Sequence, residues 1–258
     1  MLLSIVVVTF NCARILPETL LSIARFSEQF NGELEVICVD GASSDDTLNV
    51  IEGSELFSKI LSEPDLGIFD AMNKGAELSS GHWICYMNAG DSFSDFSGLD
   101  IAEVLTNMRP VVGVVYGDTD VVFEGDYIVR KKSPSFVTKN ATMPFCHQSC
   151  FTRKELVELI KFDIGYPRVA DQKFYYEVFN RGCEFSYVDS VFSLVEAEGF
   201  SSNQLLKTAT EELSFRLNLN VMSPFKSYYK FYLKCIFIFV KSLTPSSVRK
   251  IKRNFYSG

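Results

Sequence analysis

Four short apolar segments, each followed by a polar loop, recur through about the first 95 residues of the chain. They cover residues 3–10, 34–39, 59–61 and 83–87, and helical patterns fill the intervals at 15–30, after 43–46 and at 69–79. Strands that alternate with helices form βαβ units, and helices cover both faces of the resulting sheet. The pattern therefore predicts an α/β fold with a mostly parallel sheet.

The alternation ends near residue 95, and shorter, more varied segments follow. Residues 111–116, 121–124 and 127–131 have the composition of strands or hairpin arms around Gly117 and Gly125, whereas 153–160 and 171–181 have helical patterns. From residue 203 onward we expect helix alone, interrupted near Pro224 and Pro245, because proline breaks a helix from within. The α/β part should therefore be followed by C-terminal helices.

Composition and charge restrict the class of protein. The chain is 47% hydrophobic and rich in Phe and Tyr, which excludes a disordered or fibrous protein. Residues 221–258 contain eight Lys or Arg and no acidic residue, although the net charge of the whole chain is −7. An acidic body with a basic, aromatic end argues against general binding of nucleic acid and for a local anionic partner near the C-terminus.

Seven cysteines are scattered along the chain without a CxxC pair. An odd, scattered set is typical of reduced thiols in a cytosolic protein and not of a disulfide framework. Cys146, His147 and Cys150 are close in sequence, but they provide too few ligands for a structural zinc site. We therefore expect a cytoplasmic protein with free thiols.

Polar residues collect where the four predicted strands end. Residues 9–11, Asp40, 63–65 and 88–91 each follow one strand. Ligands of open α/β sheets bind at the carboxyl ends of the strands, so four such loops in succession predict a polar cleft. Alternatively, Asp40 and Asp91 are ordinary turn or cap residues. Neither GxGxxG nor GxxxxGK followed by Ser or Thr occurs, which removes the main support for a dinucleotide-binding or P-loop protein.

These loops also carry a family resemblance. The segments IVVVTFN at 5–11, VDGASSDDT at 39–47, SEPDLGIFDAMNKG at 62–75 and MNAGD at 87–91 resemble, in order and spacing, those of family 2 glycosyltransferases. PFCHQS at 144–149 and VAD at 169–171 are more loosely similar to later motifs of a bacterial surface-polysaccharide (O-antigen and capsule) branch. The resemblance implies the GT-A fold, a Rossmann-like, mostly parallel sheet with flanking helices, followed here by C-terminal helices.

The activity implied by the resemblance is inverting glycosyl transfer. The enzyme would move a hexose or N-acetylhexosamine from a UDP-sugar to a saccharide acceptor linked to polyprenyl diphosphate, in bacterial surface polysaccharide (lipopolysaccharide) synthesis. Residues 1–95 would bind the nucleotide-sugar, 96–202 of the same domain would bind the acceptor and supply the base, and 203–258 would form a basic, aromatic helical segment. Two other classes stay open, a nucleotidyltransferase and a non-catalytic, membrane-associated scaffold with this fold.

The resemblance assigns the nucleotide-sugar to the strand-end loops and to the helix that begins near Gly67. In the family, the segment like 9–11 lines the base pocket, and the aspartate that matches Asp40 accepts a hydrogen bond from the uracil imide. Lys74 either steadies the diphosphate or is a solvated helix lysine. The full set of expected contacts is Thr9, Phe10, Asn11, Asp40, Asp65, Asp70, Asn73, Lys74, Asn88, Ala89 and Gly90.

The expected metal site departs from the family pattern. The usual Asp-x-Asp is replaced by Asn88-Ala89-Gly90, and Asp91 is the remaining carboxylate of this loop. Mg²⁺ or Mn²⁺ can still bind, because such an ion takes its other ligands from water and the diphosphate. His147 is either a further ligand or phosphate contact, or a structural histidine.

Asp171 is the candidate catalytic base. It opens a predicted helix, so it is alternatively an N-cap residue. In the family the matching aspartate takes the proton from the acceptor hydroxyl as the new bond forms. Many relatives have Asp-Tyr or Glu-Asp at this point, whereas this chain has Asp171-Gln172.

The C-terminal segment has the pattern of a helix that lies on a membrane. Lys226, Lys230, Lys234 and Lys241 recur at helical spacing beside large aromatic residues. The strongly apolar part is roughly ten residues long, too short to span a bilayer. We therefore expect residues 224–255 to bind the anionic inner face of the bacterial plasma membrane, with the protein peripheral on its cytoplasmic side. Alternatively, this helix packs on the acidic body of the protein.

Overall fold

Four parallel strands lie side by side in the computed structural model, which describes residues 2–96, 99–123, 127–138, 143–197 and 204–243. They are β1 (Leu3–Thr9), β2 (Leu34–Asp40), β3 (Lys59–Ser62) and β4 (Trp83–Asn88), in the spatial order β3-β2-β1-β4. The helices α1 (Leu16–Gln29), α2 (Thr47–Glu52) and α3 (Ile68–Leu78) connect them. The strands and helices predicted for this part of the chain are confirmed.

The same sheet continues beyond β4 through strands of mixed direction. They are β5 (Ser92–Phe93), β6 (Val112–Phe123), β7 (Tyr127–Lys131), β8 (Cys150–Arg153) and β9 (Glu184–Glu196), and the order is β3-β2-β1-β4-β8-β6-β9-β5, with β7 paired to β6. The helices of this part are α4 (Ile101–Thr106), α5 (Lys154–Ile160) and α6 (Ala170–Asn180), with a 3-10 turn at His147–Ser149. β6 and β9 are parallel, whereas β8 is antiparallel to β4 and β6. The expected fold class is confirmed.

Gly117 does not separate two strands, as the sequence predicted, but lies within the single strand β6. A Cβ at this position would lie 2.5 Å from the carbonyl oxygen of Ser190 and 2.6 Å from Cδ1 of Phe192. The register between β6 and β9 shifts between Tyr116 and Asp118, and again between Asp118 and Thr119. The glycine therefore marks a close approach of two strands at an irregularity, not a turn. Gly125 lies outside the described residues.

The sequence did not predict α4, β8 or β9. β9 is the longest strand described, yet Ser186, Asp189 and Ser190 interrupt its apolar residues, so it has neither a continuous apolar run nor a regular alternation. It is a strand because β6 pairs with it over most of its length. β8 has four residues and begins directly after the 3-10 turn. These elements depend on partners distant in sequence, which local patterns do not reveal.

β1 is buried along its whole length, because helices cover both faces of the sheet. Leu3, Ile5 and Val7 belong to the apolar cluster that contains α1, and Val6 and Val8 belong to the cluster that contains α3. This alternation follows from the two-residue period of a strand. Packing on both faces fixes the end of β1, and with it the polar loop that follows.

The chain divides into two compact units, residues 1–198 and 199–258. In the second unit α7 (Leu205–Asn218) packs against α8 (Pro224–Leu243), and Pro224 begins the second helix as expected. Glu212 of α7 is buried and pairs with Arg216 at 3.2 Å and with Lys234 of α8 at 2.6 Å. The predicted C-terminal helices are therefore confirmed within the described residues, and Pro245 lies outside them.

Glu35 is a buried charge at the amino end of β2. Its carboxylate accepts hydrogen bonds from Ser4 Oγ at 2.6 Å, from Ser80 N and Oγ at 2.5 and 2.7 Å, and from Lys59 Nζ at 3.2 Å. Burial opposes ionisation, but these hydrogen bonds outweigh it and lower the pKa of Glu35 to about 2. The ionised carboxylate therefore links β1, β3 and the loop before β4.

We predict that Glu35→Gln destabilises the protein in a pH-dependent way. Because folding lowers the pKa of Glu35, its stabilisation is complete above the ordinary pKa of about 4.5 and is lost as the pH falls towards 2. The variant should lose about 3 kcal/mol of unfolding free energy at pH 7, and less at pH 3. Urea titrations measure this difference, with Glu28→Gln on the exposed face of α1 as control. An equal loss at both pH values would contradict the account.

Candidate functional site

Asp40 is the centre of a hydrogen-bond network at the carboxyl ends of β1, β2 and β3. Its side chain is 0% exposed. Oδ1 accepts from Thr9 Oγ1 at 3.0 Å and from Ser43 Oγ at 2.5 Å, and Oδ2 accepts from Ser43 N at 2.9 Å and Ser62 Oγ at 2.8 Å. Burial alone would raise the pKa of Asp40, but these bonds outweigh it and lower the pKa.

Each carboxylate oxygen of Asp40 receives two hydrogen bonds from the protein, and together they align the ends of three strands. The expected contact of Asp40 with a uracil imide stays a prediction. Asp40 is not an ordinary turn residue, because it is fully buried and its partners come from three separate segments.

The loops after β1 and β2 are tied together by Asn11. Its backbone N–H donates to Ser43 Oγ at 2.8 Å, and its side-chain oxygen accepts from Ser44 N at 2.8 Å. Asn11 and Ala42 both have left-handed backbone, with φ of 48° and 59°. Such strained residues persist where the surroundings enforce them, and they cluster at functional sites. Thr9 and Asn11 thus support the loops, whereas Phe10 between them is 63% exposed.

Asp65, in the loop after β3, lies beside these two loops. Its Oδ1 accepts from Gly67 N at 2.8 Å. Its Oδ2 lies 2.5 Å from the position that a Cβ at Gly41 would take, and Cδ2 of Phe10 lies 3.3 Å from the same position. Phe10, Gly41 and Asp65 therefore lie next to one another at the ends of β1, β2 and β3. Phe10 and Asp65 are expected nucleotide contacts, whereas the sequence did not single out Gly41.

The three expected residues on α3 mainly contact the protein itself. Asn73 exchanges two hydrogen bonds of 2.8 Å with the backbone of Phe162, and Asp70 accepts from Leu66 N at 3.0 Å. Lys74 pairs with Glu63 at 2.8 Å and with Asp70 at 3.5 Å, and this pairing with Glu63 raises the pKa of Lys74. Lys74 is therefore not a freely solvated lysine. The side-chain amide of Asn73 thus ties α3 to the backbone of Phe162, and its expected contact with the nucleotide-sugar stays a prediction.

The loop after β4 carries two side-chain oxygens that are candidate ligands for a metal ion. Oδ1 of Asn88 is buried and has no hydrogen-bond partner within the described part of the chain. Asp91 Oδ2 accepts from Gln148 Nε2 at 2.6 Å, and burial raises the pKa of Asp91 to about 6. Asp91 is thus no ordinary cap. Gly90, with φ of 96°, lets the backbone turn between the two residues, and its N–H donates to Thr19 Oγ1 at 2.9 Å.

These two residues fit a hard divalent cation that takes most of its ligands from water and phosphate. An orphaned amide oxygen and a carboxylate whose ionisation burial disfavours both gain from a nearby positive charge. Among the described residues, no three His, Cys, Asp or Glu side chains form a metal-binding group. An ion bound here would therefore take its remaining ligands from water and from the phosphate groups of a substrate.

His147 connects this loop to α6. Its Nε2 lies 3.1 Å from Asn88 Nδ2, and its Nδ1 lies 3.5 Å from Oδ2 of Asp171. Both ring nitrogens therefore face protein groups, and the expected role of His147 as a metal ligand or phosphate contact stays a prediction. Gln148, the next residue, holds Asp91, a contact that the sequence did not predict although Gln148 lies in the PFCHQS segment and Asp91 in the MNAGD segment.

Asp171 lies within the first turn of α6 and is not its N-cap, which is Val169. Its Oδ1 accepts from Gln172 N at 2.8 Å, and its Oδ2 faces His147. The side chain is 16% exposed. The capping alternative therefore does not hold, and a carboxylate that is partly exposed lies next to His147, which itself contacts the loop after β4.

Known glycosyltransferases resemble this chain in sequence. A sequence model described as Glycosyl transferase family 2 matches residues 4–160. The chain is 30% identical over 188 residues to a PGL/p-HBAD biosynthesis glycosyltransferase of Mycobacterium bovis, a match that covers 66% of this chain and 67% of the relative. It is 31% identical over 181 residues to an uncharacterized glycosyltransferase of Mycobacterium tuberculosis, and this match covers 66% of each chain.

Two solved structures share the fold at low sequence identity. The crystal structure of S. aureus TarS 1-349 in complex with UDP-GlcNAc superposes with a TM-score of 0.66 at 17% identity and covers 88% of this chain and 69% of that one. The mannosyltransferase PcManGT from Pyrobaculum calidifontis, in complex with GDP-Man and Mn²⁺, has a TM-score of 0.64 at 18% identity, with 90% and 69% covered. These likenesses support the GT-A fold.

Proposed function

Because this chain belongs to glycosyl transferase family 2, we propose that it is an inverting enzyme that moves a hexose or N-acetylhexosamine from a UDP-sugar to a saccharide acceptor. One observation carries the proposal. His147 contacts both Asn88, in the loop that follows β4, and Asp171, on α6. A residue that would hold the metal ion at the leaving diphosphate and a candidate base are thereby linked through a single side chain.

In the proposed mechanism the donor lies along the strand-end loops, with its nucleobase near Phe10 and its diphosphate near residues 88–91. Asn88 and Asp91 are the residues that would hold Mg²⁺ or Mn²⁺, and the ion would neutralise charge on the departing UDP. The orphaned oxygen of Asn88 would be a ligand of this ion, and Gln148 orients the Asp91 carboxylate. A neighbour in complex with Mn²⁺ and one in complex with a UDP-sugar support these choices of ligand.

Asp171 is the proposed base. Inversion requires the acceptor oxygen to attack the anomeric carbon from the face opposite the leaving nucleotide, with loss of its proton as the bond forms. One oxygen of Asp171 is fixed by Gln172 N, and the other faces His147 and can take that proton. General-base catalysis of this kind contributes about 10²–10⁴-fold to the rate. His147 would hold the carboxylate in the orientation that the attack requires.

The same loops support a nucleotidyltransferase less well. Such an enzyme would be expected to have a glycine- and lysine-rich loop after β1, whereas this chain has Phe10, Asn11 and Cys12 there. It would release pyrophosphate, and a non-catalytic scaffold would release no product. Release of UDP from a UDP-sugar in the presence of acceptor therefore distinguishes the three functions.

The outer surface of α8 supports a lipid-linked acceptor. The exposed residues Phe225, Tyr229, Tyr232, Ile236 and Phe239 recur at intervals of four, three, four and three, which places them on one side of the helix. Lys226 and Lys230 are also exposed and lie along one border of this apolar side. An aromatic side bordered by lysines fits the interface of an anionic membrane.

Lys234, one of the four lysines expected to face a membrane, pairs with the buried Glu212 of α7, so it is not available to a lipid surface. The side chain of Lys241 and residues 244–255 lie outside the described part of the chain. No helix among the described residues is long and apolar enough to span a bilayer. On the strength of its exposed aromatic side and two bordering lysines, we propose that α8 binds peripherally to the cytoplasmic leaflet, where the acceptor would be a polyprenyl-diphosphate-linked saccharide of surface polysaccharide synthesis.

We predict that Asp171→Asn lowers transfer by about 10²–10⁴-fold and leaves UDP binding intact, because an amide cannot take the acceptor proton at neutral pH. Turnover is measured by UDP release and binding by calorimetry. Glu177→Gln is the control, since this carboxylate lies on the same helix and pairs with Lys173. Near-normal turnover of a folded Asp171→Asn protein would exclude Asp171 as the base.

We predict that transfer requires Mg²⁺ or Mn²⁺ and stops in excess chelator. Asn88→Ala and Asp91→Ala should each raise the metal concentration needed for half-maximal activity, because each removes one of the two candidate oxygen ligands. They should also weaken Mn²⁺ binding in the presence of UDP, measured by electron paramagnetic resonance. Glu103→Ala, on the exposed side of α4, is the control. Full activity in chelator would contradict this prediction.

We predict that the protein co-sediments with anionic vesicles at low salt and is released by high salt or detergent. A Lys226→Glu/Lys230→Glu double variant should bind at least about tenfold more weakly, because each base near an anionic surface contributes about 1 kcal/mol. Lys207→Glu, exposed on α7, should change binding little. If the unaltered protein does not sediment with anionic vesicles, the membrane proposal is wrong.

A further inference from the structure

The 3-10 turn that precedes β8 is anchored on the later strands of the sheet. Ser149 of this turn is fully buried, and its hydroxyl contacts those of Thr119 on β6 at 2.7 Å and Ser193 on β9 at 2.5 Å. Its backbone N–H donates to the carbonyl of Cys146 at 2.9 Å, which closes the turn. The backbone of Gln148 is therefore held at a fixed position beside the loop after β4.

The side-chain amide of Gln148 has a different partner at each end. Its Nε2 donates to Oδ2 of Asp91 at 2.6 Å, and its Oε1 accepts from the thiol of Cys146 at 2.8 Å. Gln148 is buried, so the amide needs partners from the protein at both ends. Cys146 and Asp91 provide them.

The side chain of Cys146 is a hydrogen-bond donor at neutral pH, because burial raises the pKa of this thiol to about 11. A donor next to Oε1 favours the amide orientation in which the carbonyl faces Cys146 and the NH₂ group faces Asp91. The reverse orientation would bring a carbonyl oxygen against a carboxylate oxygen, and two acceptors do not form a hydrogen bond. The thiol and the carboxylate therefore favour the same orientation of Gln148.

The orientation of Asp91 matters because this carboxylate is a candidate ligand of the metal ion. Besides the bond from Gln148, it receives a backbone hydrogen bond from Glu196, at the end of β9. Two donors from separate segments set the direction of the carboxylate. Groups that hydrogen-bond to a ligand in this way fix its orientation and contribute to metal affinity.

We infer that Cys146 is a positioning residue: its thiol holds the Gln148 amide, and that amide aims the Asp91 carboxylate at a bound Mg²⁺ or Mn²⁺. This inference rests on the proposed function, because it requires an ion at the loop after β4. Cys146 acts through Gln148 and not on the ion or the donor sugar itself.

The affinity for Mn²⁺ in the presence of UDP tests this role, measured by electron paramagnetic resonance on the full chain. Cys146→Ala should weaken binding on the order of 3–10-fold, because the amide loses one of its two partners. Gln148→Leu should weaken it by about 10–100-fold, because Asp91 loses its donor. Cys146→Ser should restore most of the affinity, since a hydroxyl donates to the same oxygen. Cys183→Ala, which removes a half-buried thiol after α6, is the control.

A double variant separates an action through Gln148 from a general effect on packing. Cys146→Ala combined with Gln148→Leu should bind Mn²⁺ as weakly as Gln148→Leu alone, because the thiol then has no amide to hold. Effects that add would overturn the inference. Melting temperatures show which variants are folded. Should Gln148→Leu fail to fold, Gln148→Met, which also lacks the N–H donor, takes its place.

The possible failures can be told apart. If Asp91→Ala weakens Mn²⁺ binding but Cys146→Ala and Gln148→Leu do not, the inference is wrong and the proposed function stands. If Cys146→Ser binds as weakly as Cys146→Ala, the hydrogen-bond donor is not what matters, and the inference is again wrong. If the unaltered protein binds no Mn²⁺ in the presence of UDP, the inference fails together with the metal site of the proposed function.

Discussion

The buried carboxylate of Asp40 holds together the strand ends on which the site depends. A charge removed from water persists only where hydrogen bonds replace its hydration, and Asp40 receives four, from β1, from β3 and from the loop after β2. The carboxyl ends of β1, β2 and β3 are thereby held side by side. Phe10, which follows β1, and Asp65, which follows β3, come together above Gly41 for this reason.

A second set of contacts joins the parallel half of the sheet to the later elements. β8 pairs with β4, and the turn that precedes β8 carries His147 and Gln148 to the loop after β4. Gln148 contacts Asp91, and His147 contacts Asn88 and Asp171. In the proposed mechanism the hydrogen bonds of Asp40 position the loops that contact the nucleobase. The contacts of His147 and Gln148 position the leaving diphosphate relative to Asp171, the proposed catalytic base.

The sequence revealed those parts of the fold whose signals are local. Each of β1 to β4 is followed by a polar loop, and β1, β2 and β4 are apolar runs, so their order and the edge at which polar residues gather could be predicted. β9 could not be predicted, because it is stabilised by pairing with β6. Gly117 was interpreted as a turn because Ser190, which lies against it in the structure, is distant in sequence. Motif matching likewise found Asp40, His147 and Asn73, but not their hydrogen-bond partners, which come from separate segments.

The most direct test of this account is a crystal structure of the protein with UDP and Mn²⁺, with the ion located by its anomalous scattering. We predict that the uracil lies beside Phe10 at the ends of β1 and β2, and that an anomalous peak lies between the diphosphate and the oxygens of Asn88 and Asp91. A base bound away from Phe10, or a diphosphate distant from the loop after β4, would contradict it.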